Sequence, residues 1–328
     1  MNFLTLGSTD PHFNMAFDQV CLEEPLLDEP VFWLWQNRPS VIIGLNQNPF
    51  AEVNLPWLRQ RGIVLARRVT GGGAVYHDLQ NLNYTITGRS RDLARDYPDY
   101  LDIVVRALRA LGVPAEINGR NDIMVGGRKC SGFAKRVYKD RLMVHGTLMF
   151  DVDLEEMSHA LAAPSGKLSA AGIESVRSRV ANLRDCLPGC AGIDEFRSAM
   201  QEQMACGGHR IEVSPALLQR AQEEAERKFS TWEWIYGRSP AASFKAVKKF
   251  PCGTVEAFWG IRHGRLSGLC FGGDFIGNVP ADALAEELEG CPMEREALAR
   301  ELEKAKVQTG DCFDGLHPQD IIGLLFTD

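Results

Sequence analysis

A chain of 328 residues, 45% apolar and 24% charged, is long enough for one large unit with a full core and a smaller second one. Its net charge of −7 argues against a generic nucleic-acid binder, which would show a basic footprint. No apolar run approaches the ~18 residues of a membrane span, and Met1 to Asp10 lack the basic start and apolar run of a signal peptide.

The first periodic segment runs from residue 10 to 24. Asp10 caps it, Pro11 fits the first helical position, and Phe13, Phe17, Val20 and Cys21 share a face. Asn14 points off that stripe, four residues before Asp18. Two strand candidates follow, Val31 to Gln36 and Val41 to Leu45. Then Ile63-Val64-Leu65-Ala66 leads through Arg67 and Arg68 to three glycines, Gly71 to Gly73, and to a second β-prone run, Val75-Tyr76-His77. Glycine loses the most backbone entropy on folding, so three in a row predict a bend between strands where a ligand or another backbone comes close. The two arginines can supply bidentate donors to a phosphate or carboxylate. A Gly-rich hairpin turn with solvated arginines is the plainer alternative. No Gly-Lys-Ser or Gly-Lys-Thr follows, which excludes a P-loop, and the spacing is not Gly-x-Gly-x-x-Gly opening a helix, which excludes a dinucleotide fingerprint.

Asp99 starts a second amphipathic helix with Leu101, Val104, Val105, Leu108 and Leu111 on its face and Gly112 as its stop. A strand cluster runs from Ala115 to Phe150, broken by turns at Asn118-Gly119 and Gly126-Gly127, and residues 153 to 163 and 194 to 205 read as helices. Helices and strands mingle without a βαβ rhythm, so the expected class is α+β. Gly, Pro, Ser and lysines gather from Gly237 to Gly253, the expected linker between a catalytic unit over 1–245 and an accessory unit over 250–328. The accessory unit should hold two strands, Val255 to Ile261 and Leu266 to Phe271, then helices near Ala281 to Leu288 and Arg295 to Lys306 and a short last one. Nine scattered cysteines suit a reducing cytoplasm better than a disulfide framework, although Cys186, Cys190, Cys206 and His209 have a loose zinc spacing.

Three clusters between the glycines and residue 150 carry chemistry. Asn121-Asp122 opens a β-run, where a carboxylate beside an amide can bind a hard cation such as Mg²⁺ or close an Asx-turn. Lys129 precedes Gly132, so a compact ammonium can meet a phosphate there, or the lysine is simply solvated. His145 closes the region, as a ligand contact or as a satisfied strand histidine.

Together these stretches resemble the lipoate–protein ligase A family. The shared blocks are Arg67-Arg68-x-x-Gly71-Gly72-Gly73-Ala74-Val75-Tyr76-His77-Asp78, Asn81-Leu82-Asn83-Tyr84, Gly119-Arg120-Asn121-Asp122, Lys129-x-Ser131-Gly132-x-Ala134, His145-Gly146-Thr147-Leu148 and Ser175-Val176-Arg177-Ser178-Arg179-Val180-x-Asn182-Leu183. The resemblance implies an α+β catalytic domain of the biotin/lipoate-ligase type and a small α+β accessory domain. It implies two half-reactions: lipoate and MgATP give lipoyl-AMP, and a lysine of a lipoyl-domain acceptor (an E2 subunit or the glycine-cleavage H protein) then attacks. Carried over by position, Arg68 and the backbone of Gly73, Ala74, Val75 and Tyr76 hold ATP. Lys129 is catalytic and touches both ATP and lipoate. Asn14, Arg68, Thr70, His77, Asn83 and His145 line the lipoate site, and Asp122 holds Mg²⁺. Phe133 and Val144 depart from the family pattern, which usually has a small or polar residue at the first place and often a second histidine at the other. An ATP-independent octanoyl or lipoyl transferase needs a cysteine nucleophile in the loop before Asn121-Asp122, and Gly112 to Arg120 holds none; Cys130 is the only nearby thiol. A biotin ligase lacks support because its basic Gly-Arg-Gly-Arg-type loop is missing. A non-catalytic lipoyl-domain binder has no need of Lys129, Asp122 and the glycine loop.

Overall fold

The structure, a computed structural model, describes residues 1–24, 26–90, 92–119, 122–161, 179–237, 244–262 and 265–326. Of the motif blocks, Arg120, Asn121 and Ser175 to Ser178 lie outside the described residues, as do the last two residues of the helix expected over 153–163 and residues 238–243 of the expected linker.

The larger unit is built on a seven-stranded sheet of β1 (Asn2–Thr5), β2 (Val31–Trp35), β6 (Asn81–Arg89), β10 (Arg141–Met149), β9 (Arg128–Tyr138), β8 (Asp122–Val125) and β7 (Ala115–Asn118), in that spatial order. Only β1 and β2 are parallel; the other pairs are antiparallel. Beside it, β3 (Ser40–Ile43) lies between β4 (Val64–Arg67) and β5 (Val75–His77). The glycine segment is therefore not a hairpin turn. β4 runs parallel to β3 and β5 antiparallel to it, so the loop from Arg68 to Ala74 crosses the end of the strand between them.

Helix α1 (Pro11–Glu23) starts as its sequence dictates. The Asp10 carboxylate accepts from the His12 and Phe13 amides, and Pro11 occupies the first turn. Its burial is wider than one stripe, because Asn14 and Asp18 are each only 1% exposed along with Phe17, Val20 and Cys21. Two short helices, α2 (Pro49–Glu52) and α3 (Leu55–Arg61), make the crossover from β3 to β4. On the far side of the main sheet, α4 (Leu93–Ala110) packs Leu101, Val104, Val105 and Leu108 onto Leu82, Tyr84, Leu142 and Val144. It starts six residues ahead of Asp99, with Pro98 inside it. Then come α5 (Leu154–Ala160), α6 (Ile193–Ala205), α7 (Pro215–Glu224), a π-helical turn (Ala225–Phe229) and α8 (Trp232–Ile235). Helices α7 and α8 fall where no helix was expected.

The smaller unit has a three-stranded antiparallel sheet, β11 (Phe244–Phe250), β12 (Gly253–Arg262) and β13 (Arg265–Gly273), covered by α9 (Ala281–Leu288), α10 (Arg295–Lys304), α11 (Thr309–Cys312) and α12 (Pro318–Leu325). Much of the expected linker is thus a strand: pairing with β12 organises a lysine-rich run whose own pattern reads as loop. Among the described residues, no helix is long and apolar enough to cross a membrane.

Candidate active site

One pocket gathers most of the expected site. The glycine loop forms one wall, and β2, β6, β9 and β10 supply Trp35, Asn83, Lys129 and His145 from the main sheet. Its ≈ 580 Å³ of empty space, partly continuous with solvent, suits a small ligand.

Lys129 reaches the pocket through an irregularity in its strand. Ile123 pairs with Ser131 but Met124 pairs with Lys129, so Cys130 is an extra residue on β9 and breaks the side-chain alternation. Lys129 and Gly132 then come together: a Cβ at Gly132 would lie 3.1 Å from both Cε and Nζ of the lysine. The ammonium sits 2.7 Å from Asp122 Oδ1, with the two side chains 35% and 33% exposed. Cys130 itself is fully buried, its thiol donates to Ile123 O at 3.3 Å, and burial pushes its pKa up to about 12. A thiol so held is no nucleophile at neutral pH.

The two arginines part company. Arg67 is wholly buried, and its guanidinium donates to the carbonyls of Gly44, Leu45, Gln47, Trp234 and Ile235 at 2.7–3.0 Å. It ties α8 to the turn after β3 and has no place at a ligand, contrary to the expectation that both arginines serve one. Arg68 borders the pocket and holds the glycine loop, donating to Gly71 O at 2.7 Å, Gly73 O at 2.8 Å and Ile42 O at 3.0 Å. Desolvation lowers its pKa to about 10, which leaves it charged at neutral pH. With those carbonyls turned to the guanidinium, an anion beside the loop meets positive charge rather than carbonyl lone pairs. Gly72 has φ 91°, and a side chain at Gly44 would collide with its carbonyl. From the other side the Gly72 amide donates to Phe275 O of the small unit at 3.3 Å.

A buried chain of hydrogen bonds runs beneath this loop. Trp35 Nε1–H donates to Thr85 Oγ1 at 2.9 Å, and the Thr85 hydroxyl donates to Asp18 Oδ1 at 3.0 Å. Asp18 Oδ2 accepts from His145 Nδ1 at 2.8 Å. That leaves His145 Nε2 to accept from the Thr70 hydroxyl at 2.7 Å, whose oxygen accepts from Arg68 Nε at 3.0 Å. Every donor meets an acceptor when His145 is neutral. His77 is held differently. Its Nδ1 accepts from Asn37 Nδ2 at 3.0 Å, so Nε2 carries the proton, and burial, then Arg68 and His145, depress its pKa to about 3. Its Nε2–H and the Asn83 amide nitrogen are buried at the pocket without a partner among the described residues, and such donors favour a ligand that brings acceptors.

Three expected contacts lie behind the pocket wall, the first being Thr70, whose hydroxyl is buried between Arg68 and His145. Asn14 donates to Ser8 O, Gln36 O and Asn37 Oδ1 at 2.8–3.2 Å, so it orients Asn37 and through it His77. The Tyr76 ring is in the core with Val41, Leu65 and Met149, leaving only its backbone for a ligand. Phe133 borders the pocket while its ring packs on Tyr97, with centroids 6.2 Å apart. Among the described residues no group of three or more His, Cys, Asp or Glu side chains could hold a metal, Cys186, Cys190, Cys206 and His209 included.

Residues 10–205 match the family model of the lipoyl protein ligase A/B catalytic domain, and residues 239–325 that of the bacterial lipoate protein ligase C-terminus. The chain belongs to the lipoyl protein ligase family. A lipoate–protein ligase of Bacillus subtilis is 34% identical over 323 residues, 97% of each chain. A solved lipoate–protein ligase A bound with ATP is 31% identical with a TM-score of 0.63, over 72% of this chain and 98% of that one. The bipartite lipoate protein ligase of Thermoplasma acidophilum, described with its E2 lipoyl domain, is 29% identical with a TM-score of 0.66, over 74% of this chain and 98% of that one. Family membership makes the chain an enzyme, a lipoate–protein ligase. In this ligase, sequence reasoning overlooked Trp35, Asn37, Asp18 and Thr85; the one available signal was the pair of polar residues Asn14 and Asp18, four apart on a helix with a strong apolar face.

Proposed function

We propose that the pocket joins lipoate to ATP as lipoyl-AMP and then passes the acyl group to a lysine of a lipoyl domain. The observation that carries this reading is the Lys129 ammonium, 2.7 Å from Asp122 beside a glycine loop held by a buried guanidinium. A free carboxylate has no usable leaving group, so the acid is first activated. Its oxygen attacks the α-phosphorus, the bond to pyrophosphate breaks, and Lys129 neutralises charge that develops between carboxylate and phosphate. In the second step the acceptor amine attacks the acyl carbon, the bond to AMP breaks, and the nitrogen loses a proton.

Asp122 fits Mg²⁺ as a single part-exposed carboxylate, the kind of ligand that shares this ion with substrate phosphates. When bound, the ion supplies charge neutralisation at those phosphates. Arg68 and the Gly73 to Tyr76 backbone position the phosphates, and Thr70, His77, Asn83 and His145 position the acyl group. Asn14 acts from behind, through Asn37. Catalytic and accessory domains divide in this reading just before Phe244, where β11 begins. A cysteine-based transferase is disfavoured by the buried, raised Cys130 thiol. Lipoate-dependent exchange between ATP and pyrophosphate tests the proposal: the ligase gives exchange and a transferase gives none.

A further inference from the structure

Strand β11 reads Phe244-Lys245-Ala246-Val247-Lys248-Lys249-Phe250, three lysines and no acidic residue in a chain of net charge −7. It is an edge strand. The order β11-β12-β13 leaves its outer side unpaired among the described residues, and Phe244 and Val247 are 46% and 52% exposed. Lys245 has a carboxylate partner, Glu256 on β12 at 2.8 Å. Lys248 rests its ammonium over the Phe250 ring at 5.0 Å, and neither it nor Lys249 has a carboxylate partner among the described residues. An exposed row of unpaired backbone groups is a template for another strand.

The strip also faces the larger unit at its Lys245 end. Glu256 and Lys245 act on Glu52 at the end of α2, and so does Asp274. A Cβ at Gly73 of the pocket loop would lie 3.9 Å from the Asp274 Cβ. Lys245 on β11 thus faces α2 of the larger unit, while the segment after β13, at the other edge of the small sheet, adjoins the glycine loop.

We propose that β11 is a docking strand for an acidic edge strand of the acceptor protein, which pairs with it by backbone hydrogen bonds while its carboxylates meet Lys248 and Lys249. A second copy of this chain is a poor occupant: antiparallel self-pairing centred on Val247 sets Lys245 opposite Lys249, a like-charge pair across the strands. A nucleic acid offers no backbone amides to the edge and meets net repulsion from the rest of the chain.

This inference rests on the ligase reading, and two assays separate them. Pyrophosphate exchange needs no acceptor, so it judges the ligase chemistry alone. In the double variant Lys248→Glu, Lys249→Glu, exchange should match wild type. The KM for a lipoyl domain of net negative charge should rise about tenfold with kcat little changed, as expected of lost electrostatic steering. Salt should raise the wild-type KM and lower that of the variant, whose two glutamates repel the acidic partner. Lys304→Glu with Lys306→Glu, the same charge change elsewhere on the small unit, should leave KM unaltered. The proposal is overturned if the β11 variant keeps the wild-type KM, or if the control pair raises KM equally. Retention of single-stranded DNA by wild type but not by the β11 variant would assign the strip to nucleic acid and overturn it too.

Discussion

Replacing Lys129 by alanine separates folding from chemistry. The ammonium and the Asp122 carboxylate are each about one-third exposed, at 35% and 33%, so water screens their 2.7 Å contact. Exposed pairs of this sort contribute roughly 0–1 kcal/mol to stability, and Lys129→Ala should unfold within about 1 kcal/mol of wild type in urea. A charge preorganised against developing negative charge is worth far more to the reaction, typically ~10²–10³ in rate or about 3–4 kcal/mol. Lipoate-dependent pyrophosphate exchange should therefore fall by about that factor while the circular dichroism spectrum stays unchanged. Lys129→Arg should recover little. Only 3.1 Å separates the lysine nitrogen from the position of a Gly132 Cβ, and a planar guanidinium is larger than the ammonium it replaces. Lys135→Ala should leave exchange nearly intact, since its ammonium lies over the Tyr97 ring, 4.5 Å from the centroid. Exchange near the wild-type rate by folded Lys129→Ala would refute the role of the lysine and most of the site built around it.

Asp18→Asn puts amide hydrogens against Thr85 or His145 in a fully buried chain, and should cost about 1–3 kcal/mol; an unaltered urea midpoint would contradict the bonding scheme. His77 has a folded pKa of about 3 against an ordinary 6.5, so the unfolded chain binds the extra proton between those values. Stability from this group is complete above about pH 6.5 and declines towards pH 3, by up to ~1.4 kcal/mol per unit; equal acid sensitivity in His77→Gln would exclude it as the cause. The two units meet through few backbone bonds, Gly72 to Phe275 O at 3.3 Å and Gly273 to Asn46 O at 2.7 Å among them. Small-angle scattering should accordingly change when lipoyl-AMP forms. Gly71→Ala, whose Cβ would lie 2.5 Å from Phe275 O, should shift the profile without substrate, and two unchanged profiles would rule out a labile seam.

Where local chemistry decides, the sequence by itself determined the outcome. Asp10 and Pro11 start α1, Gly119 and Gly126-Gly127 with positive φ turn the β7 to β9 meander, and Gly112 ends α4's run. The motif blocks named Lys129, Arg68 and His145, and the fold brings all three to one pocket. Tertiary structure decided what depends on distant partners. Arg67 and Arg68 are neighbours of one type, yet one guanidinium is spent on α8, more than 160 residues on, and the other on the glycine loop. The Asp18–His145 contact spans 127 residues, and no local pattern reports the sheet pairing that closes it. The lysines of β11 mask a strand for the same reason: extended backbone there is stabilised by hydrogen bonds to β12 rather than by its own side chains, and such bonds exist only once the chain has folded.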